Sequence, residues 1–383
     1  MKMKKNALIT LVFCLLIFTA AAQPDNKRFF QLSFISPLGT NGMQSHFTTN
    51  VVSLNILGGH SYGNTAFEFA SIYNVNMHLT KGFQFAGITN YSGNAHNAAQ
   101  FAGVTNITVK GRMSFQFSGV VNVADEIAGV QFAGVANHAK NVGGIQFSGV
   151  YNASNILKGC QLAGVINYAT DAKGLQLAGI LNISKEVSGV QLAGIVNVSK
   201  RVEGVQLGLI NYAEESDGVS IGLINVVKKG GKREFEVAFS EALNTSVSFK
   251  LGTDKFYTIF SGGVNYLSNT IEYAAGLGFG THIDWKKGWG NQIEALGYSL
   301  TENSSFATED INMLTQLKFT VSKEIARHFK VFAGPVLNMT ISKYIDAETG
   351  ILGSSLPVWS VWKNKSETTR LNAWIGFSAG VRF

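Results

Sequence analysis

The feature that most constrains this chain is a sentence that it repeats: "GVQFAGVANHAKNVG" at residues 129 to 143 is followed at once by "GIQFSGVYNASNILKG". The shared core reads G-x-Q-[FL]-[AS]-G-[VI]-x-N. Its glutamines are Gln84, Gln100, Gln116, Gln131, Gln146, Gln161, Gln176, Gln191 and Gln206; the matching asparagines are Asn90, Asn106, Asn122, Asn137, Asn152, Asn167, Asn182, Asn197 and Asn211. The spacing is 16 residues at first and then 15. Degenerate copies extend upstream through "FEFASIYN" and downstream through "GVSIGLIN", so about twelve units fill residues 51–230.

The period decides strand direction. An up-and-down barrel returns equivalent environments every second strand, which would give a period near 30. Equivalence every 15 residues predicts parallel stacking: a β-solenoid whose coils lie about 4.8 Å apart, like residue above like residue. The apolar row Phe85, Phe101, Phe117, Phe132 and Phe147 then switches to Leu162, Leu177, Leu192 and Leu207, as expected if each side chain packs on its vertical neighbour. The following glycines (Gly87, Gly103, Gly119, Gly134, Gly149, Gly164, Gly179, Gly194) provide the bend or close backbone approach that a narrow coil requires. Stacked Gln and Asn side chains donate to one neighbouring coil and accept from the other, which fixes register. The same rows could instead form a flat outer face for glycan, ice or another surface. Variable segments such as "SKEVS" and "SKRVE" carry the charges and should be solvated turns.

Composition supports an all-β chain: 46% hydrophobic residues and 42 Gly among 383, with 14% charged, is too apolar for disorder and too glycine-rich for helices. The opening "MKMKKNALITLVFCLLIFTAAAQ" has lysines, an apolar run and small residues, the pattern of an export signal over 1–22 cleaved near Ala22. Loss of its three lysines would lower the formal charge from +7 to +4, so nucleic acid is not an expected partner. Cys14 follows Phe13 rather than small residues, which argues against lipidation. Cys160 stands where other repeats carry Val, Ile or Leu, and reads as a small core hydrophobe.

After "VVKKGGKRE" the rhythm stops and longer alternating segments begin. Tyr273, Ala275, Leu277, Phe279 and Ile283 share one face; Glu272, Ala274, Gly276, Gly278, Gly280, His282 and Asp284 share the other. Eight such segments predict a small antiparallel, transmembrane-type barrel, apolar outside and polar or glycine within. Trp285, Trp289, Trp374 and Tyr298 lie near segment ends, as interfacial aromatics do. The closing "LNAWIGFSAGVRF" places Phe377, Val381 and the terminal Phe383 on one face, which resembles the C-terminal assembly signal of bacterial outer-membrane proteins. The expected layout is a signal at 1–22, an entry strand or cap at 23–50, a solenoid at 51–230 and a barrel at 231–383. "FFQLSFISP" either caps the solenoid or adds a barrel strand.

The repeated "GVQLAGIVNVSKRVEG" units, together with "ISPLGTNG", resemble the uncharacterised surface-repeat family of spirochaetes and Bacteroidetes over residues 30–230. The resemblance implies a cell-envelope location and no known activity. Seven scattered histidines without ligand spacing, and the absence of HExxH or a phosphate loop, point away from an enzyme. No catalytic residue, cofactor or metal site is expected. Glu272, Glu294, Asp284 and Lys318 could line the barrel as an ion-pair network. The expected function is a non-enzymatic outer-membrane or cell-surface protein whose barrel anchors a solenoid for adhesion or surface contact; a small transporter or pore and a periplasmic scaffold are the alternatives. Its partners would be outer-membrane lipid, the barrel-assembly machinery and a surface glycan or protein.

Overall fold

The computed structural model describes residues 26–267, 271–302, 311–343, 345, 356, 360–366 and 368–383. The expected signal, Cys14 and most of the "TENSSFATE" connection lie outside the described residues. The fold is a parallel solenoid of about 11 turns and a closed eight-strand antiparallel barrel. Contacts divide the chain into two compact units, one ending at Ala139 and the other beginning at Lys140.

In the first unit, Asn26–Ile35, Thr48–Ala70, Tyr73–Ala86, Thr89–Ala102, Thr105–Ser118 and Val121–Ala133 pair in parallel, each with the next. "FFQLSFISP" therefore belongs to the solenoid sheet: Phe30 lies opposite Val52 and Leu32 opposite Leu54. Gln84, Gln100, Gln116 and Gln131 stand in one register, as do Asn74, Asn90, Asn106 and Asn122. The 16-residue coils absorb their extra residue just before the Gln, where Gly82, Asn97 and Met113 take positive φ (70°, 49° and 48°). The 15-residue coils need no such kink.

In the second unit each coil is two short strands. Tyr151–Leu157, Ile166–Ala172, Leu181–Val187, Val196–Val202, Ile210–Ser216 and Ile224–Lys229 form one parallel stack. Ile145–Ser148, Cys160–Ala163, Leu175–Ala178, Val190–Ala193, Val205–Leu207 and Val219–Ile221 form the other. The last two steps, Asn197 to Asn211 to Asn225, are 14 residues, because "QLGLIN" is one residue shorter than "QLAGIVN".

Alternation along each strand sends Gln, Asn and the small residues inward and Phe, Leu and the [VI] positions outward. The interior is amide ladders beside one small or aliphatic column, in which Leu157, Ala172, Val187 and Val202 are fully enclosed. Cys160 corrects an expectation: it precedes Gln161, faces outward and is half-buried rather than a core residue.

The glycine column is required by sterics rather than by backbone angles. A Cβ on Gly119 would lie 2.3 Å from the Gly103 carbonyl oxygen, and one on Gly179 would lie 2.2 Å from that of Gly164.

The barrel strands are Lys232–Ser240, Thr245–Gly252, Tyr257–Asn265, Glu272–Asp284, Trp289–Glu302, Asn312–Ala326, Phe329–Ser342 and Arg370–Arg382. Each pairs antiparallel with the next, and Val237 opposite Val381 closes the ring. "EIAR" at 324–327 is mostly strand, since pairing continues to Ala326. A short strand, Trp362–Lys365, also adds to the start of the last strand. Phe239, Phe249, Leu277, Phe279, Phe319 and Leu337 are exposed on the outer wall. Trp285 and Trp289 are exposed near one rim, but Trp374 and Tyr298 are buried inside, where Trp374 Nε1 donates to Glu241 and the Tyr298 hydroxyl pairs with Ser261. Their alternation phase, not their nearness to a segment end, sets which way they point.

Replacing Gly179 with Ala is expected to lower the solenoid's unfolding free energy by about 2 kcal/mol, the scale of overpacking against backbone. Urea unfolding followed by circular dichroism measures it. A variant as stable as the parent would contradict the steric account.

Candidate functional site

The amide rows form two hydrogen-bonded columns of opposite polarity. Along the Asn column each side chain donates forward: Asn74 to Asn90, Asn90 to Asn106 and Asn106 to Asn122, at 2.9–3.0 Å. Along the Gln column each donates backward: Gln100 to Gln84 and Gln116 to Gln100, at 2.8 and 3.0 Å. The second unit repeats both directions, Asn167 donating to Asn182 and Gln191 to Gln176. The other Asn hydrogen goes to a backbone carbonyl, as from Asn182 to Leu192 at 2.7 Å. Primary amides suit this role because each offers both a donor and an acceptor. All nine glutamines and nine asparagines expected to form ladders are buried. None is on a surface that could meet glycan or ice.

Each column ends on a residue that the repeat pattern does not announce. Glu68 stands at the Gln position of its coil, opposite Gln84, and accepts from Asn76 (2.7 Å), Gln84 (3.0 Å) and Asn55 (3.4 Å). A carboxylate there closes a run of backward-pointing donors. Burial nevertheless pushes its pKa up to about 7, against the three amide donors, which pull it down. At the other end Asn225 donates to Thr258 Oγ1 of the barrel at 3.0 Å, and Thr258 donates to the Gly222 carbonyl at 2.7 Å. Arg233 reaches the Val227 carbonyl and Lys255 that of Asp217. The last coil is thus capped by the barrel residues that lie near its turn at 253–256.

The outer surface is the reverse of the interior. The stretch from Gln to Asn contains no charged residue in any copy from 84–90 to 206–211. Charges fall only in the return segment. In the first unit this arc carries a groove of about 760 Å³, with Gly87, Gly103 and Gly119 along its floor and the Phe row as a wall. Phe85, Phe101, Phe117 and Phe132 stack with nearly parallel rings, centroids 4.8, 5.1 and 5.3 Å apart. In the second unit Val150, Leu177, Ile180, Ile195, Leu207 and Leu209 continue exposed apolar rows.

The barrel lumen is filled. Lys250 donates to Glu236, Glu294 and Gln292, Arg382 to Glu236 and Thr320, and Tyr257 to Glu294. All these groups are buried. Towards the other end the filling becomes apolar: Leu243, Leu296, Leu300, Leu314, Leu356 and Trp374 form one cluster. Of the four residues expected to make an internal ion-pair network, Glu294 belongs to it and Lys318 is buried within the barrel. Glu272 is buried near the opposite rim, and Asp284 is an exposed rim residue. Phe377 and Phe383 lie exposed on the outer wall and Val381 is half-buried there.

Sequence reasoning missed Lys250, Arg382 and Thr258, because one strand's alternation does not say which residues of neighbouring strands share a level. Glu68 was visible as the single acid at a Gln position. Comparison with protein-family models, curated proteins and solved structures returns no match.

Glu68 gives the solenoid a testable pH dependence. Its folded pKa is raised from 4.5 to about 7, so the folded state binds the proton more tightly than the unfolded state. The contribution is complete below about pH 4.5 and is lost as pH rises through 7, for a total of about 3 kcal/mol. Denaturation at pH 5 and pH 8 should show this loss for the parent and much less of it for Glu68→Gln. Equal pH dependence in both proteins would contradict the assignment.

Proposed function

We propose that this chain is a non-enzymatic outer-membrane protein in which the barrel anchors the solenoid, and that the solenoid stands on the periplasmic side as a scaffold. The observation that carries the reading is the barrel's polarity: an apolar outer wall around a buried charged lumen. Such a wall is stable against acyl chains and costly in water. The export-type N-terminal sequence and the resemblance to envelope repeat proteins are in keeping with it.

The side follows from the connections. The links at 253–256, 285–288 and 327–328 are short and lie at the end where the barrel begins and finishes, near Lys232 and Arg382. Links around 303–311 and 343–369 at the opposite end are long. In outer-membrane barrels short turns face the periplasm and long loops the exterior. The last solenoid coil bonds to Arg233, Lys255 and Thr258, all near the short-turn end. The charge-free arc would then be the scaffold's contact surface, open to another envelope component.

Protease treatment of intact cells tests the placement. The repeats should survive until the outer membrane is permeabilised, after which cleavage is expected in exposed turns such as Lys158–Gly159. Cleavage in intact cells would instead place the solenoid outside, as an adhesin. The filled lumen should give no single-channel conductance in planar bilayers, and steady conductance would favour the pore reading.

A further inference from the structure

We propose that Asp254, His282 and Asp284 form a divalent-metal site of the zinc class at the short-turn rim of the barrel. Asp254 lies in the turn at 253–256. His282 and Asp284 lie two residues apart at the end of the Glu272–Asp284 strand, so their side chains leave the same face. Nitrogen and oxygen ligand atoms from all three residues lie within 4.8 Å of one another. The turn is held to the strand by the His282 amide donating to the Asp254 carbonyl at 2.7 Å.

The imidazole is the informative group. Its side chain is 2% exposed. Nδ1 is 3.0 Å from Asp254 Oδ1, closer than Lys232 Nζ at 3.5 Å, and in the tautomer that serves this carboxylate the ring proton is on Nδ1. Nε2 then presents a bare lone pair 3.3 Å from Asp284 Oδ1, and it makes no hydrogen bond. In that tautomer two acceptors face each other across a gap that a bound cation would bridge. A proton on Nε2 would need a better aligned acceptor than Asp284 offers. An ion does not need that line: ligands about 2.0–2.1 Å from one metal, and 90–110° apart, lie about 2.8–3.4 Å from each other.

Two neighbours fit the same reading. Gly290 keeps the space open, since a Cβ there would lie 2.7 Å from His282 Nε2 and 3.5 Å from Asp284 Oδ1. Lys232 Nζ is 3.4 Å from Asp254 Oδ1 and 3.5 Å from His282 Nδ1. It sits on the Nδ1 side of the ring, so it neutralises Asp254 and leaves Nε2 and Asp284 to the ion. Asp254 would act chiefly by orienting the imidazole, as carboxylates behind metal-bound histidines do. Its side chain and that of Asp284 are 54% and 70% exposed, which leaves water free to complete the coordination. One imidazole with one carboxylate and water suits Zn²⁺ among common divalent ions better than Ca²⁺ or Mg²⁺.

The test is calorimetric titration of the chelator-treated full chain in detergent micelles with ZnCl2. One equivalent should bind, and Asp284→Asn, a change at an exposed side chain, should weaken binding at least tenfold. Glu186→Gln, at an exposed solenoid carboxylate, should leave it unchanged. Co²⁺ substitution should give a visible absorption band that Asp284→Asn abolishes. Absence of stoichiometric Zn²⁺ uptake by the parent, or Asp284→Asn binding as tightly as the parent, would overturn the site.

Discussion

An amide buried in a narrow β-coil has few ways to be satisfied, and the one this protein uses is the same amide one coil away. The solenoid's other regularities answer to that constraint. Each Asn and Gln donates to a neighbour and accepts from the opposite one, so a coil is complete only between two others. Leaving one such buried group unpaired costs about 1–3 kcal/mol, whereas each bond formed adds only about 1. The columns therefore specify register more than they add stability. They also explain why the ends are not ordinary repeats: one Gln position holds Glu68, and the last Asn meets Thr258.

With polar atoms inside, the apolar residues are left outside. The Phe and Leu rows cover their own flanks by stacking at the coil spacing, which hides part of each ring without enclosing it. The barrel has the same inverted arrangement, with Lys250, Glu236 and Arg382 inside and Phe and Leu outside. One chain thus builds two β architectures whose interiors are held by directional bonds rather than by oil-like packing alone. In the barrel these bonds join strands far apart in sequence, such as Arg382 and Glu236; in the solenoid they join residues 14 to 16 apart.

That difference sets what the sequence made legible. A 15-residue period in which Gln always returns to Gln specifies parallel, in-register coils, and the two-residue alternation from Tyr273 to Ile283 specifies a barrel wall. Period alone does not say which face is inside, so Cys160 read as core although it lies on the outer side of Gln161. Trp374 and Tyr298 looked like interfacial aromatics because they sit near segment ends, yet their phase points them inward. Thr258 carries no local signal; only the way the last coil meets the barrel makes it a cap. His282 and Asp284 are near in sequence, but Asp254 joins them through a neighbouring turn that no ligand-spacing search would include.

The account stands on consecutive repeats running in the same direction with like residues stacked. Cys160 lies in register with Leu175 of the next coil, so nitroxides on Cys160 and on Leu175→Cys would be separated by about one coil spacing of 4.8 Å at the backbone. Electron paramagnetic resonance of the doubly labelled full chain, with Cys14→Ser removing the other thiol, should show strong dipolar or exchange broadening absent from either single label. A spectrum equal to the sum of the two singly labelled proteins would mean that neighbouring copies do not stack in parallel, and would contradict the structure at its foundation.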